Sequence, residues 1–308
     1  MRFNSDQIQK IGKEISSKVD GKTLFDEFSR GRYSTDASVY QIKPLGVVLP
    51  KDTNDVLSLM EYSQKNSVPL LARGGGSSQC GQTVGESVVL DYSKHQNKIL
   101  ELNVEEKYVW VQPGVVLDHL NAYLKPHGLW FPVDVSTSSR ATIGGMSANN
   151  SCGSRSLYYG NMVHNVLAIE AILDDGSIFN FDQINKNYLA TKNNQDRLYK
   201  IIDKFIDVRK QVGGEIDANW PTTQRRVGGY NIDLIDPEGF NSSNLLVGSE
   251  GTLSLFNKIK LKLSEIPKNK ILGVCYFDNF HQAMELSKEI VKLKPTCVEL
   301  MDQNLLNL

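Results

Sequence analysis

Between Asp134 and Arg155 the chain carries one charged residue, Arg140, within PVDVSTSSRATIGGMSANNSCG (132–153). Nearly every side chain in that stretch is small. A solvated loop of this length would hold more charge, so its backbone is expected to lie close against a large ligand. A Ser/Gly linker is the competing reading of such a composition. Against it, Ile143, Met146 and Ala148 interrupt the polarity, and Asn149-Asn150 favour tight bends. A second stretch of the same character runs from Arg73 to Gly81, RGGGSSQCG. Successive glycines let main-chain N–H groups turn toward one point and form a nest for an anion. Ser77 and Ser78 add hydroxyl donors. A hydrogen bond to a charged group contributes roughly 1.5–3 kcal/mol, so three or four would anchor a diphosphate. Taken alone, a triple glycine serves equally well as a tight turn.

The first loop is not a P-loop, because no Lys-Ser or Lys-Thr follows its last glycine. It also lacks the third glycine of the dinucleotide fingerprint, where Gln79 stands. ATP and NAD therefore lose their main supporting motifs. The surrounding pattern is mixed. LGVVLP (45–50) reads as a strand, and Asp52-Thr53 caps a helix with Val56, Leu59, Met60 and Ser63 on one face. VPLLA (68–72) is the next strand and runs straight into the glycines. Strands are expected at 87–93, 98–103 and 107–114, then a helix over 115–128 ended by Pro126 and Gly128. Asp175-Gly176 signals a hairpin within 166–181. A helix spans 196–212 with Gly213 at its end, and 245–263 reads as strand-rich. Residues 1–42 read as a polar leader with one weak helix. After Pro267 come a strand, a helix and a partial strand, too little to bury a core alone. This ending suits a fragment of a longer protein.

Composition narrows the partners. The formal charge is −1 over 308 residues, so no basic stripe argues for nucleic acid. The polar start and the lack of any long apolar run predict no signal peptide and no spanning helix. Cys80, Cys152, Cys275 and Cys297 are scattered, and the five histidines form no close pair. No metal site is therefore legible, and a reduced, cytoplasmic setting is expected, with attachment at the inner membrane left open.

The order RGGGSSQCGQ, VQPG, STSSRATIGGMSANNSCG, YGNMVHNVLAIEAILDDG and GSEGTL resembles the PCMH-type FAD-binding domain of the vanillyl-alcohol-oxidase superfamily. Within it, the chain is most similar to FAD-linked 2-hydroxy-acid dehydrogenases of the D-lactate, glycolate and D-2-hydroxyglutarate type. The opening RYSTDASVYQIKPLGVVLP also resembles members fused to a C-terminal iron–sulfur domain. The resemblance implies an α+β fold of two subdomains, at 43–135 and 136–266, followed by the start of an α+β cap over 268–308. It implies that Gly74, Gly75, Gly76, Ser77 and Ser78 cradle the FAD pyrophosphate. Pro132, Ser138, Thr142, Gly144, Gly145 and Asn150 would face it from the other side, and Val166 would approach a ring of the cofactor. Glu250 and Gly251 would sit near it, or Glu250 would cap backbone.

Ser77 and Ser78 occupy the stretch where some members carry a tethering histidine, so FAD is expected to bind noncovalently. Cys152 is expected as a small residue packed against the cofactor rather than a tether. The implied reaction converts a small 2-hydroxy acid to its 2-keto acid by hydride transfer to flavin N5. Electrons would pass to an iron–sulfur domain, a quinone or a cytochrome. A base and a carboxylate-binding cation are needed, and Arg226, Tyr230 and His164 are the candidates in this chain. Two rivals stand beside this reading. One is an NADPH-dependent reductase on the same fold. The other is a flavin-binding electron-transfer module or inactive piece without its own substrate site.

Overall fold

In the computed structural model, residues 3–190, 196–223 and 225–308 are described. Strands β1 (Lys22–Leu24), β2 (Gly46–Leu49), β3 (Leu70–Arg73) and β4 (Val88–Asp91) form one sheet in the order β1-β2-β4-β3. β2, β4 and β3 run parallel, and β1 pairs antiparallel with β2. Every residue of β2 and β4 is buried, as the apolar runs Val47–Leu49 and Val88–Leu90 require of strands covered on both faces, and buried Asp91 accepts from the Tyr33 hydroxyl. Helices α1 (Ser5–Ser16), α2 (Glu27–Arg32) and α3 (Thr53–Asn66) accompany this sheet. Ile8, Ile11 and Ile15 of α1 share a core with Val56 and Leu59 of α3 and with Val88 and Leu90. Asp52 caps α3 by accepting from the amides of Asn54 and Asp55.

The opening segment is thus more than a leader with one weak helix. It contributes α1, the edge strand β1 and α2. Asp55 fixes it in place: its carboxylate accepts from the amides of Asp20, Gly21 and Lys51. Nothing in the local sequence announces that anchor.

A second, antiparallel sheet has the order β5-β6-β12-β8-β9. Its strands are β5 (Ile99–Asn103), β6 (Tyr108–Val111), β8 (Val166–Ile172), β9 (Ile178–Phe181) and β12 (Leu255–Lys262). β8 and β9 pair around the expected Asp175-Gly176 turn, where Gly176 has φ +81° and Asp175 accepts from the Ser177 amide. Two short pairs complete the strands: β7 (Leu129–Trp130) with β13 (Ser264–Glu265), and β10 (Gln183–Asn185) with β11 (Gly239–Asn241). Helices α4 (Leu117–Leu124) and α5 (Ile143–Asn149) pack here. β5 and β6, expected in a first subdomain reaching residue 135, pair within this second sheet. β6 hydrogen-bonds β12, and residues from Val109 to Val133 join the larger core.

Three other expectations differ. The helix after Asp196 runs from Arg197 to Asn219, past Gly213. An interior glycine costs about 1 kcal/mol, and Ile216 beyond it returns to buried surroundings. Residues 245–254 do not extend β12 backward, since Gly248, Glu250 and Gly251 all have positive φ and turn the chain instead. Residues 271–277 and 296–300 form no strand; only a helix, Phe280–Lys292, appears as expected. No neighbouring strand edge meets those segments, and an isolated strand is not stable.

Candidate functional site

The two loops of small residues meet. Both line a single cleft of about 450 Å³, within the usual range for small-molecule sites. The first loop leaves β3 at Arg73, and the second runs from Val135 into α5. Their glycines are needed for different reasons. A Cβ on Gly74 would strike the Thr142 side chain, and one on Gly75 would strike the Arg140 carbonyl. A Cβ on Gly144 would collide with Pro113. Gly76 has φ +63°, a conformation that favours glycine. These positions let two backbones approach each other closely enough to form one wall.

The chemistry of that wall suits an anion. Among the described residues, the amides of Gly74, Gly75, Gly76, Ser77 and Ser78 have no recorded acceptor. Consecutive main-chain donors left open in a recess are uncommon unless something binds them. Gly144 and Gly145 differ, because their amides already serve the Pro113 carbonyl and the Thr142 hydroxyl. Thr142 is the N-cap of α5. Arg73 is the cation that lines the cleft among the described residues. Its guanidinium donates to the carbonyls of Tyr33, Thr83 and Thr35 and stacks on the Tyr33 ring at 5.2 Å. It braces the first loop from behind. Burial lowers its pKa, while Asp91 and Asp36 oppose that.

Glu250 is the carboxylate in the lining. It sits in a turn with φ +53° and accepts from Asn149 Nδ2 at 2.9 Å and Gln82 Nε2 at 3.5 Å. Much of its surface is exposed, yet the surrounding loops desolvate the carboxyl and push its pKa up, against the two hydrogen bonds. Gln82 also bonds Ser78. This small network ties the first loop, the end of α5 and the Gly248–Gly251 turn together. The Glu250 and Gly248 amides donate to the carbonyls of Ala148 and Ser147. Cys152 lines the cleft as well, with the Arg225 guanidinium 3.4 Å from its sulfur.

Of the residues named from the sequence, Gly74, Gly75, Gly76, Ser77, Ser78, Thr142, Gly144, Gly145, Glu250 and Gly251 line the cleft. Cys152 lines it too, and the remaining named residues lie outside the lining and have visible structural tasks. Asn150 closes α5 in the left-handed conformation, and its Oδ1 accepts from the buried Val163 amide. Val166 opens β8, and its carbonyl accepts from Asn241. Pro132 is buried, and the Ser138 carbonyl accepts from the Asp118 amide. Arg226 is ion-paired with Asp233 and stacked on Trp220. Tyr230 bonds Thr252, and His164 Nδ1 accepts from the Asn161 amide. Burial and the charge of Arg226 lower the His164 pKa. Sequence reasoning did not single out Arg73, Gln82, Tyr92 or Ser254, all of which line the cleft. Arg73 and Gln82 stand at the two ends of the glycine-rich loop, and no local pattern marks Tyr92 or Ser254.

Residues 44–182 match the FAD binding domain family. Those 139 of the 308 residues mark an FAD binding domain within the chain. The chain is 34% identical to D-2-hydroxyglutarate dehydrogenase of Haemophilus influenzae over 89% of this chain and 28% of that protein. It is 30% identical to glycolate oxidase subunit GlcD of Bacillus subtilis over 96% of this chain and 54% of that protein. The chain therefore spans roughly a third to a half of the relatives it matches. Its fold is shared with alkyldihydroxyacetonephosphate synthase, with TM-score 0.65 and 18% identity, over 94% of this chain and 47% of that one. FAD fits the cleft's chemistry: open amides for a diphosphate, no competing cluster of carboxylates, and buried hydroxyls without protein partners. Among the described residues, no group of His, Cys, Asp and Glu could hold a metal ion. None of the described helices is long and apolar enough to cross a membrane.

Proposed function

We propose that this chain is the FAD-binding portion of a dehydrogenase that oxidises a D-2-hydroxy acid to the 2-keto acid and passes the electrons to an acceptor other than oxygen. The observation that carries the reading is the convergence of two separate loops rich in small residues on one cleft, with the amides of Gly74–Ser78, residues that line it, left without an acceptor in the protein. Bound FAD would supply hydride acceptance at flavin N5. The chain's own residues position it. Gly74–Ser78 hold the diphosphate, Thr142 and Gly145 shape the opposite wall, and Glu250 with Asn149 and Gln82 keeps the loops in register. Ser77 and Ser78 offer no tether, so the cofactor is held noncovalently. The substrate class comes from relatives named for D-2-hydroxyglutarate, glycolate and D-lactate oxidation. A yeast relative named for a cytochrome supports that acceptor class. A cytoplasmic setting suits this chemistry.

One observation favours a narrower reading, a flavin-binding module that does not oxidise substrate alone. Arg226, Tyr230 and His164 all stand outside the cleft lining, and Arg73 is held by three carbonyls. A single experiment separates these readings. FAD-loaded protein is mixed anaerobically with D-2-hydroxyglutarate, glycolate and D-lactate, and separately with NADPH. Bleaching of the yellow colour by a hydroxy acid is expected for the dehydrogenase. A yellow protein that no hydroxy acid bleaches is the module, and bleaching only by NADPH overturns the proposal.

A further inference from the structure

The first glycine loop is gripped from behind by the segment that precedes β2. Residues 34–42 fold back on themselves: Thr35 bridges Gln41, and the Ile42 amide donates to the Ser34 carbonyl. From this turn, contacts reach the loop at its start, middle, tip and end. At the start, Arg73 donates to the carbonyls of Tyr33 and Thr35, and its guanidinium stacks on the Tyr33 ring. In the middle, the Ala37 amide donates to the Gly76 carbonyl at 3.1 Å. At the tip, the Tyr40 ring packs on Gly81, where a Cβ would stand 2.6 Å from it. At the end, Asp36 accepts from the Thr83 hydroxyl at 3.0 Å and from the Ser38 amide. No residue from 33 to 42 is among those that line the cleft, so any effect they have on a ligand passes through the loop.

A run of glycines is conformationally free, and ordering it costs entropy that binding must then offset. Main-chain bonds made by the loop do little to order it, since the amides of Gly74–Ser78 are without an acceptor in the protein. The four grips hold those amides in one arrangement before a ligand arrives. We propose that Tyr33, Asp36, Ala37 and Tyr40 form a clasp that presets the glycine loop for a diphosphate, so that seating of the clasp and binding of FAD favour each other. They are positioning residues, acting through Arg73, Gly76, Gly81 and Thr83. Coupling of this kind is reciprocal: loosening the clasp weakens the ligand, and the ligand tightens the clasp by the same factor. The coupling rests on the FAD reading of the same cleft.

Two measurements on the whole chain test it. FAD affinity of stripped protein is read by flavin fluorescence for wild type, Asp36→Ala and Tyr40→Ala. Asp36→Ala is expected to weaken FAD binding about tenfold, within the usual span for coupled sites. Tyr40→Ala is expected to weaken it less. Both side chains are at least partly exposed, so the melting temperatures of the stripped variants are expected to stay close to wild type. Hydrogen exchange is then read on wild type with and without FAD. FAD is expected to slow exchange of the Ala37 amide, an effect that a merely structural turn outside the cleft would not show. Unchanged FAD affinity in both variants overturns the clasp, as does equal exchange at Ala37 with and without FAD. Variants that lose FAD only in step with a fall in melting temperature would reveal a general structural role and overturn it too. A wild type that binds no FAD would instead sink the FAD reading itself.

Discussion

The glycine-rich wall of the cleft and the segment 268–308 make an instructive pair. The wall is built largely of small and polar residues, yet Ala141, Thr142, Ile143, Gly144, Met146 and Ser147 are all buried. The segment is rich in large apolar residues, yet Ile271, Leu272, Tyr276, Leu293, Met301 and Leu306 are exposed, and Ala283 is its one buried hydrophobic residue. Residue character does not decide burial here; partners do. The wall is held by main-chain hydrogen bonds from several directions, as where the Ile143 and Gly144 amides reach Val115 and Pro113. The segment has an amphipathic helix but no surface to lay it on.

Changes in the wall should therefore have the larger effects. The greatest is expected for Gly75→Asp. A Cβ there meets the Arg140 backbone, and the added carboxylate would oppose a diphosphate. Overpacking of this kind costs about 1–3 kcal/mol. The variant is expected to purify colourless, and flavin content after purification checks it. A fully yellow Gly75→Asp protein would dissolve the contrast between the two regions.

Asn150→Ala comes next. It removes the acceptor of the buried Val163 amide and leaves alanine at φ +52°. Together these are expected to destabilise the fold by about 2–3 kcal/mol. Asn150→Gly should recover the backbone share but not the hydrogen bond. Urea denaturation of the three proteins measures this. An Asn150→Ala protein as stable as wild type would show that the wall is less tightly held than its geometry indicates.

Glu250 offers a milder test. Burial raises its folded pKa above the ordinary carboxylate value, so folding favours the protonated form. Its contribution is fully present below the unfolded value and is lost as pH rises through the folded one. Between those two values, wild type should lose melting temperature relative to Glu250→Gln, which cannot ionise. Because much of the residue is exposed, solvent screening keeps the difference small. Melting curves of the two proteins from pH 4 to 8 check it, and parallel profiles would contradict the assignment.

Much of this was legible in the sequence because the signals were local. The glycine runs, the Asp52 cap and the Asp175-Gly176 turn each act within a few residues. The strands expected at 98–103 and 107–114 are β5 and β6, which pair with each other. What was not legible depends on distant contacts. Asp55 binding the Asp20 and Gly21 amides, and Tyr92 meeting Leu255, join residues far apart in sequence. The stretch 245–254 misled because Leu245, Leu246 and Val247 read as a strand, while the positive φ of Gly248, Glu250 and Gly251 decides the path. Gly213 misled the other way, as a stop signal overruled by burial further on.

The smallest effect is expected where the most residues are lost. Truncation after Pro267 removes two helices, Phe280–Lys292 and Gln303–Leu306, and many apolar side chains, but only Ala283 leaves buried surroundings. Burying one methyl contributes on the order of 0.8 kcal/mol. Ile169, fully buried in the second sheet, is the comparator, since Ile→Ala in a core costs about 2–5 kcal/mol. The truncated protein should therefore melt closer to wild type than Ile169→Ala does, and keep its FAD affinity, because no residue beyond Phe256 lines the cleft. A truncation more damaging than Ile169→Ala would mean that the exposed segment holds the core after all. The two regions would then differ in how they are held, not in whether they are.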